Sequence, residues 1–131
     1  MTQNAANLKI EALTGDSVAR VAADASLQQI ADALVKGEMG AVVVGDDDRP
    51  AGIVSERDLV HAMAAGQDPT TTTAGDIAHT DLVWCDVESS VADVAGRMMD
   101  RYIRHVLVEK DGTLAGIVSA RDLLGVYATE P

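Results

Sequence analysis

Two short polar segments, residues 55–58 and 119–122, hold the side chains of this sequence that are best suited to chemistry. Each has the pattern Ser-x-Arg-Asp and directly follows a run of apolar residues. A serine hydroxyl and the free N–H groups at a helix start favour a phosphate, and an arginine can bind a phosphate through two hydrogen bonds. An aspartate in the first helical turn can accept hydrogen bonds from hydroxyl groups. The pattern therefore indicates a site for a ligand that has both groups.

The same spacing also has a purely structural interpretation. Ser-x-x-Asp ahead of an apolar run is close to a capping box, in which the serine and the acid satisfy free backbone N–H groups at the start of a helix. For a single copy, capping is the stronger interpretation. Capping and ligand binding can also coexist, so the context of the two segments decides between them.

Both segments belong to an internal repeat. AGIVSERDL at 51–59 recurs 64 residues later as AGIVSARDL at 115–123. The alignment continues without a gap and pairs residues 13–63 with residues 77–127, so the chain holds two repeats joined by a linker at 64–76. Duplication of one ancestral segment is the simplest explanation.

Each repeat predicts the element order β-α-β-β-α. Continuous β-branched runs indicate buried strands, and apolar side chains at helical spacing indicate amphipathic helices. Ser26 is a suitable N-cap for the first helix and Gly37 a suitable end. The predicted strands are 18–23, 41–45, 51–54, 82–87, 105–109 and 114–118. The predicted helices are 27–36, 56–65, 90–101 and 120–127.

A repeat of this length is small for a core of its own. We therefore expect an α+β fold in which two β-α-β-β-α repeats pack their sheets on one shared core, are related by a pseudo-twofold axis and form two related clefts. Added burial through the apolar faces of the helices would also be useful, so we expect a homodimer.

Composition excludes some classes of partner. The 131 residues carry a net charge of −11, and an acidic surface repels nucleic-acid phosphates and anionic lipids. No apolar run approaches the roughly 20 residues that span a bilayer, and the N-terminal sequence lacks the features of a signal peptide. We expect a cytoplasmic protein that binds neither nucleic acid nor membrane.

Other reactive side chains form no recognisable catalytic or metal pattern. Cys85 has no nucleophile signature and favours a packing role over a reactive thiol. The three histidines, His61, His79 and His105, lack the spacing of a metal site. The acidic run 46–48 favours a solvated turn over a cation site. We therefore expect neither an enzyme nor a metal site.

The two repeats resemble the CBS domain family, named for cystathionine β-synthase. The signature of that family is a glycine, two apolar residues, Ser or Thr, two variable residues and Asp. It occurs here as GIVSERD at 52–58 and as GIVSARD at 116–122, and the resemblance covers about residues 13–127. The linker is also similar to that of small bacterial stand-alone CBS proteins of the hypoxic-response type.

The resemblance implies a CBS pair, or Bateman module, that binds an adenosine-containing ligand in a cleft between its repeats. AMP, ADP, ATP and S-adenosylmethionine are the expected regulatory ligands, with no other cofactor. Such pairs report metabolite state to a target, which here would be an unknown protein on another polypeptide. The alternative is an assembly module that binds no ligand and acts through protein contacts alone.

The family pattern also implies two unequal clefts. The motif aspartate meets the ribose, and the position 18 residues before it supplies a phosphate-binding base, which is Arg104 for Asp122 but Gly40 for Asp58. The adenine pocket is lined from the opposite repeat. The residues expected in the stronger cleft are Thr14, Ala19, Met39, Arg104, His105, Ser119, Arg121 and Asp122. The residues expected in the weaker cleft are Ser55, Arg57, Asp58, Ala78, Val83 and Ile103.

Overall fold

The computed structural model describes residues 5–15 and 17–128. Two short 3-10 helices, Ala5–Asn7 and Ile10–Leu13, come first. The strands of the described residues are β1 Arg20–Val21, β2 Ala41–Val44, β3 Gly52–Ser55, β4 Trp84–Asp86, β5 His105–Lys110 and β6 Thr113–Ser119. The helices are α1 Leu27–Gly37, α2 Glu56–Ala64, α3 Ala74–Ile77, α4 Val91–Arg101 and α5 Ala120–Ala128.

The strands form two three-stranded sheets of the same topology. In the first sheet, β2 lies in the middle, parallel to β1 and antiparallel to β3. In the second sheet, β5 is likewise parallel to β4 and antiparallel to β6. The mixed α+β class and the order β-α-β-β-α in both repeats are confirmed. The predicted strand 18–23 is shorter than expected, since only β1 has strand pairing there.

The ends of α1 and α4 are capped in corresponding ways. Ser26 accepts a hydrogen bond from the Gln29 N–H at 3.2 Å, which confirms the predicted N-cap. Gly37 is the last helical residue, and the left-handed conformation that ends the helix falls instead on Glu38 with φ 50°. Tyr102 has φ 54° at the same place after α4. The predicted helix end at Gly37 is thus confirmed.

The described residues fall into two compact units. The Asp58 unit comprises residues 18–82, and the Asp122 unit comprises the described residues before 18 together with those from 83 onward. Each unit has its own cluster of buried aliphatic side chains, centred on residues such as Ile30 and Val42 in one and Val94 and Val106 in the other. No helix of the described ranges is both long and apolar enough to cross a membrane.

In each unit, a segment that precedes the first strand of one of the repeats adds to the buried core. In the Asp122 unit, the Ile10 N–H donates to the Ser89 carbonyl at 2.7 Å, and the Val91 N–H donates to the Leu8 carbonyl at 2.8 Å. The Ile10 side chain is fully buried in the cluster of that unit. The N-terminal segment thus becomes part of the Asp122 unit.

The segment around α3 has the same role in the Asp58 unit. The Ala74 N–H donates to the Ala25 carbonyl at 2.8 Å, and the Leu27 N–H donates to the Thr72 carbonyl at 3.1 Å. Every residue of these two bonds lies 64 positions from its counterpart in the Asp122 unit. The structural repeat therefore extends upstream of the aligned sequence, and α3 begins within the predicted linker 64–76.

The fully buried Ile10 lies outside the aligned repeat 13–63, and its contribution to stability can be measured. We expect Ile10→Ala to lower the free energy of unfolding by about 2–4 kcal/mol, because the lost side chain leaves a cavity in the core. Denaturant titration followed by circular dichroism measures this change. In the control Lys9→Ala, an exposed ion pair with Glu88 is lost, which costs at most about 1 kcal/mol. Equal effects of the two substitutions would contradict the burial of Ile10.

Candidate functional site

The motif glycines allow the upstream segment of each unit to lie against the last strand of its sheet. A Cβ atom at Gly116 would stand 2.9 Å from the Thr14 Cβ, closer than side-chain carbons approach. At the equivalent Gly52, a Cβ atom would stand 3.2 Å from the Ala78 Cβ. The close packing therefore requires glycine at position 116 and is tight for any other residue at position 52, and it places Thr14 next to β6 and Ala78 next to β3.

Both Ser-x-x-Asp segments form capping boxes at the strand–helix junctions. At α2, the Ser55 N–H donates to Asp58 Oδ2 at 2.7 Å, and the Asp58 N–H donates to Ser55 Oγ at 3.2 Å. At α5, the Ser119 N–H donates to Asp122 Oδ2 at 2.8 Å, and the Asp122 N–H donates to Ser119 Oγ at 3.0 Å. The structural interpretation of the motif thus holds at both junctions. It engages one oxygen of each carboxylate.

The second carboxylate oxygens have different surroundings in the two units. Asp58 Oδ1 lies 2.6 Å from His79 Nε2, and the Asp58 side chain is only 15% exposed. Asp122 is exposed, and its capping-box hydrogen bonds join it to Ser119 through Oδ2 and the backbone N–H. Among the described residues, no side-chain hydrogen bond engages Asp122 Oδ1.

The positive charges of the two junctions also differ. The Arg104 carbonyl accepts a hydrogen bond from the Ala120 N–H at 2.8 Å, which holds Arg104 beside the start of α5. Gly40 makes the same backbone contact with Glu56 at α2 but has no side chain to offer. Arg121 and Arg57 are exposed in the first turns of their helices. The α5 junction therefore has two arginines and the α2 junction has one.

The structure brings some of the predicted site residues together within a unit. Thr14, Arg104, Ser119, Arg121 and Asp122 surround the junction of β6 and α5. His105 begins β5 and is half-buried. Ser55, Arg57, Asp58 and Ala78 surround the junction of β3 and α2.

Four predicted lining residues lie in the unit opposite to their expected partners. Ala19 and Met39 pack on the cluster of the Asp58 unit, and Val83 and Ile103 pack on the cluster of the Asp122 unit. Their role in lining an adenine pocket stays a prediction. Sequence reasoning missed His79 as a partner of Asp58, since histidine was considered only as a metal ligand. The sequence did hold a signal for His79, because it directly follows Ala78, which aligns with Thr14 and was itself predicted to line the Asp58 cleft.

The remaining candidate sites have structural explanations. Residues 46–48 form the exposed turn between β2 and β3, and Arg20 Nη1 donates to the carbonyl oxygens of Gly45 and Asp47 at 3.0 and 2.9 Å. Within residues 5–15 and 17–128, no three side chains of the types His, Cys, Asp and Glu lie close enough together to hold a metal ion.

Cys85 is a core residue of β4. Its side chain is buried, and this burial raises the pKa of the Cys85 thiol to about 11, although the nearby Arg97 opposes the shift. Burial disfavours the charged thiolate, which is the nucleophilic form. The environment therefore agrees with a packing role.

The raised pKa predicts an unreactive thiol. Roughly one Cys85 thiol in a thousand is ionised at pH 8, and a free cysteine is ionised far more at this pH. We expect a chromogenic disulfide reagent to label the folded protein at least about a hundredfold more slowly than the protein in guanidinium chloride. Complete labelling of the folded protein within the mixing time would contradict this environment.

Comparisons with known proteins agree with this geometry. The family model described as CBS domain matches residues 10–65 and 74–129. Hypoxic response protein 1 of Mycobacterium tuberculosis is 36% identical over 88 residues, which cover 66% of this chain and 62% of that protein. The match thus spans about three fifths of that relative.

Solved structures are similar over nearly the whole chain. The CBS-domain containing protein from Agrobacterium tumefaciens has 33% identity and a TM-score of 0.84, covering 92% of this chain and 99% of its own. A CBS domain protein from Pyrobaculum aerophilum, complexed with AMP, has 28% identity and a TM-score of 0.80, with 93% and 100% covered. Hypoxic Response Protein I, with two coordinated zinc ions, has 29% identity and a TM-score of 0.75, with 95% and 100% covered.

Proposed function

Because this chain belongs to the CBS domain family, we propose that it is a regulatory CBS pair that binds an adenosine-containing ligand at the Asp122 junction. AMP, ADP, ATP and S-adenosylmethionine are the candidate ligands. The observation that carries the proposal is the exposed carboxylate of Asp122 at the start of α5, next to Arg104 and Arg121. A relative with 28% identity holds AMP, which supports this class of ligand.

Each group at the junction suits one part of such a ligand. The exposed oxygen of Asp122 can accept hydrogen bonds from the ribose hydroxyls. The start of α5 offers free N–H groups and the positive end of the helix dipole to a phosphate. Arg104 and Arg121 add local positive charge, which a protein of net charge −11 needs in order to hold an anion against its own field.

The proposed role is regulatory rather than catalytic. A bound ligand would change the surface that the module offers to a target on another polypeptide, and the ligand would leave unaltered. Adenine nucleotides and S-adenosylmethionine are metabolites of the cytoplasm, so the proposed location is the cytoplasm.

Substitutions at the α5 junction test the proposed site. Asp122→Ala should weaken AMP binding at least about thirtyfold, because it removes the ribose acceptor and each charge-assisted hydrogen bond is worth about 1.5–3 kcal/mol. Arg104→Ala should weaken AMP about tenfold and adenosine less than about twofold, because adenosine has no phosphate. Titration calorimetry measures both ligands.

Asp58→Ala is the matched control, since it removes the same capping contact from the other junction. It should have little effect on AMP affinity. Equal losses from Asp58→Ala and Asp122→Ala would show that the Asp122 junction is not the dominant site. Failure of the unmodified protein to bind any adenosine-containing ligand would overturn the proposed function.

A second candidate function, assembly through protein contacts, is supported by exposed apolar side chains on four helices. Met99 on α4 is 77% exposed, and Leu124 on α5 is 69% exposed. These side chains cannot contribute to the core of one chain, and burial against a second copy would remove them from water. The exposed apolar residues of the four helices are Val35, Val60, Met63, Met99, Leu124 and Tyr127. We propose that these faces form a homodimer.

The dimer proposal predicts the effect of charge on an exposed helix face. Light scattering should give twice the chain mass for the unmodified protein and the mass of one chain for Met99→Glu with Leu124→Glu. Both side chains are exposed within one chain, so the variant should remain folded. Gln67→Glu, an exposed change in the linker, is the control and should leave the dimer intact. A monomeric unmodified protein at high micromolar concentration would refute the proposal.

A further inference from the structure

The two motif aspartates differ in how many of their oxygens are already engaged. Asp58 Oδ2 accepts the Ser55 N–H at 2.7 Å, and Asp58 Oδ1 accepts a hydrogen bond from His79 Nε2 at 2.6 Å. Among the described residues, the side-chain hydrogen bonds at Asp122 involve Ser119 alone. Ribose hydroxyls arriving at Asp58 would therefore have to compete with an imidazole for Oδ1.

His79 is held in this position by its backbone. The Ile53 N–H donates to the His79 carbonyl at 3.0 Å, and the His79 N–H donates to the Ile53 carbonyl at 2.9 Å. This pairing fixes the backbone of His79 beside β3, at the strand that leads into α2. The imidazole, whose side chain is 65% exposed, therefore reaches the Asp58 carboxylate from a backbone position that the fold fixes.

The equivalent position in the other unit is Gly15. Ala78 packs on Gly52 as Thr14 packs on Gly116, so the residues that follow, His79 and Gly15, correspond. Glycine has no side chain to reach Asp122. A Cβ atom at Gly15 would meet no heavy atom within 4 Å, so a larger residue fits sterically at that position.

We propose that His79 is a specificity-determining residue that closes the Asp58 junction to ribose-containing ligands, and that Gly15 leaves the Asp122 junction open. One chain then binds one such ligand, at Asp122. This inference rests on the proposed function, since it assigns the ligand to one of two motif aspartates. It goes beyond that function by naming the residue that decides between them.

A competing explanation for weak ligand binding at the Asp58 junction is that Gly40 stands there in place of an arginine equivalent to Arg104. It predicts weak binding of phosphate-bearing ligands only, because Arg104 would contact the phosphate. The His79 contact predicts exclusion of adenosine as well, because the imidazole competes for the ribose acceptor. Adenosine is therefore the probe that separates the two explanations.

The test is the stoichiometry of adenosine binding to the 131-residue chain, measured by titration calorimetry. The unmodified protein should bind one adenosine per chain, and His79→Ala should bind two. Gly15→His should bind none. The double variant His79→Ala with Gly15→His should bind one adenosine, now at Asp58. Adding Asp58→Ala to this double variant should abolish the binding.

The outcomes separate this inference from the proposed function. One adenosine per chain in both the unmodified protein and His79→Ala would overturn the role of His79 and leave the proposed function standing. No binding by the unmodified protein but one adenosine bound by His79→Ala would support the role of His79 and refute the proposed Asp122 site. Absence of binding in every variant would refute both, and two equal sites in the unmodified protein would refute closure at Asp58.

Circular dichroism and thermal unfolding verify that each variant is folded. If His79→Ala loses its fold, Gly15→His still tests the same mechanism in the Asp122 unit. Gly15→Ala is its matched control, since it adds a Cβ atom without an imidazole, and it should keep one bound adenosine. Retention of full adenosine affinity in folded Gly15→His would overturn the inference.

Discussion

Close packing of an upstream segment on the motif glycine is the constraint on which both strand–helix junctions depend. A side chain at Gly116 would collide with Thr14, and one at Gly52 would crowd Ala78. Because glycine leaves this space open, the segment can lie against the strand that leads into the capped helix. The residue that follows Ala78 is His79, which contacts Asp58, and the residue that follows Thr14 is Gly15, which has no side chain; we propose that this difference decides what each motif aspartate can bind.

In the proposed site, capping and ligand binding would use different oxygens of the same carboxylate. In both junctions, one oxygen accepts the serine N–H and fixes the orientation of the aspartate. This contact belongs to the fold, so no ordering of the carboxylate remains to be achieved when a ligand arrives. The structural and functional interpretations of Ser-x-x-Asp are therefore compatible. Whether the other carboxylate oxygen, Oδ1, is available to a ligand is what would separate a ligand-binding junction from one that only caps a helix.

Duplication produced two backbones that are nearly equivalent and two junctions that are chemically unequal. The backbone contact of Arg104 with α5 repeats that of Gly40 with α2, yet only one of them adds a cation. In the same way, Gly15 and His79 are corresponding positions of the repeat, and only His79 has a side chain that contacts its motif aspartate. Differences between aligned positions of a repeat thus contain more functional information than the shared motif, which mainly maintains the fold.

The sequence by itself determined the elements, the duplication and the capping motif. These features are local, since helical periodicity, β-branched runs and a four-residue cap are written in neighbouring residues. The tertiary structure alone decided the core assignment of Ile10, the two separate clusters and the contact of His79 with Asp58. Backbone hydrogen bonds that join distant segments leave no side-chain pattern, as the pairing of Ile10 with Ser89 illustrates. His79 and Asp58 are 21 residues apart in the sequence, and their contact depends on the backbone pairing of His79 with Ile53 of β3.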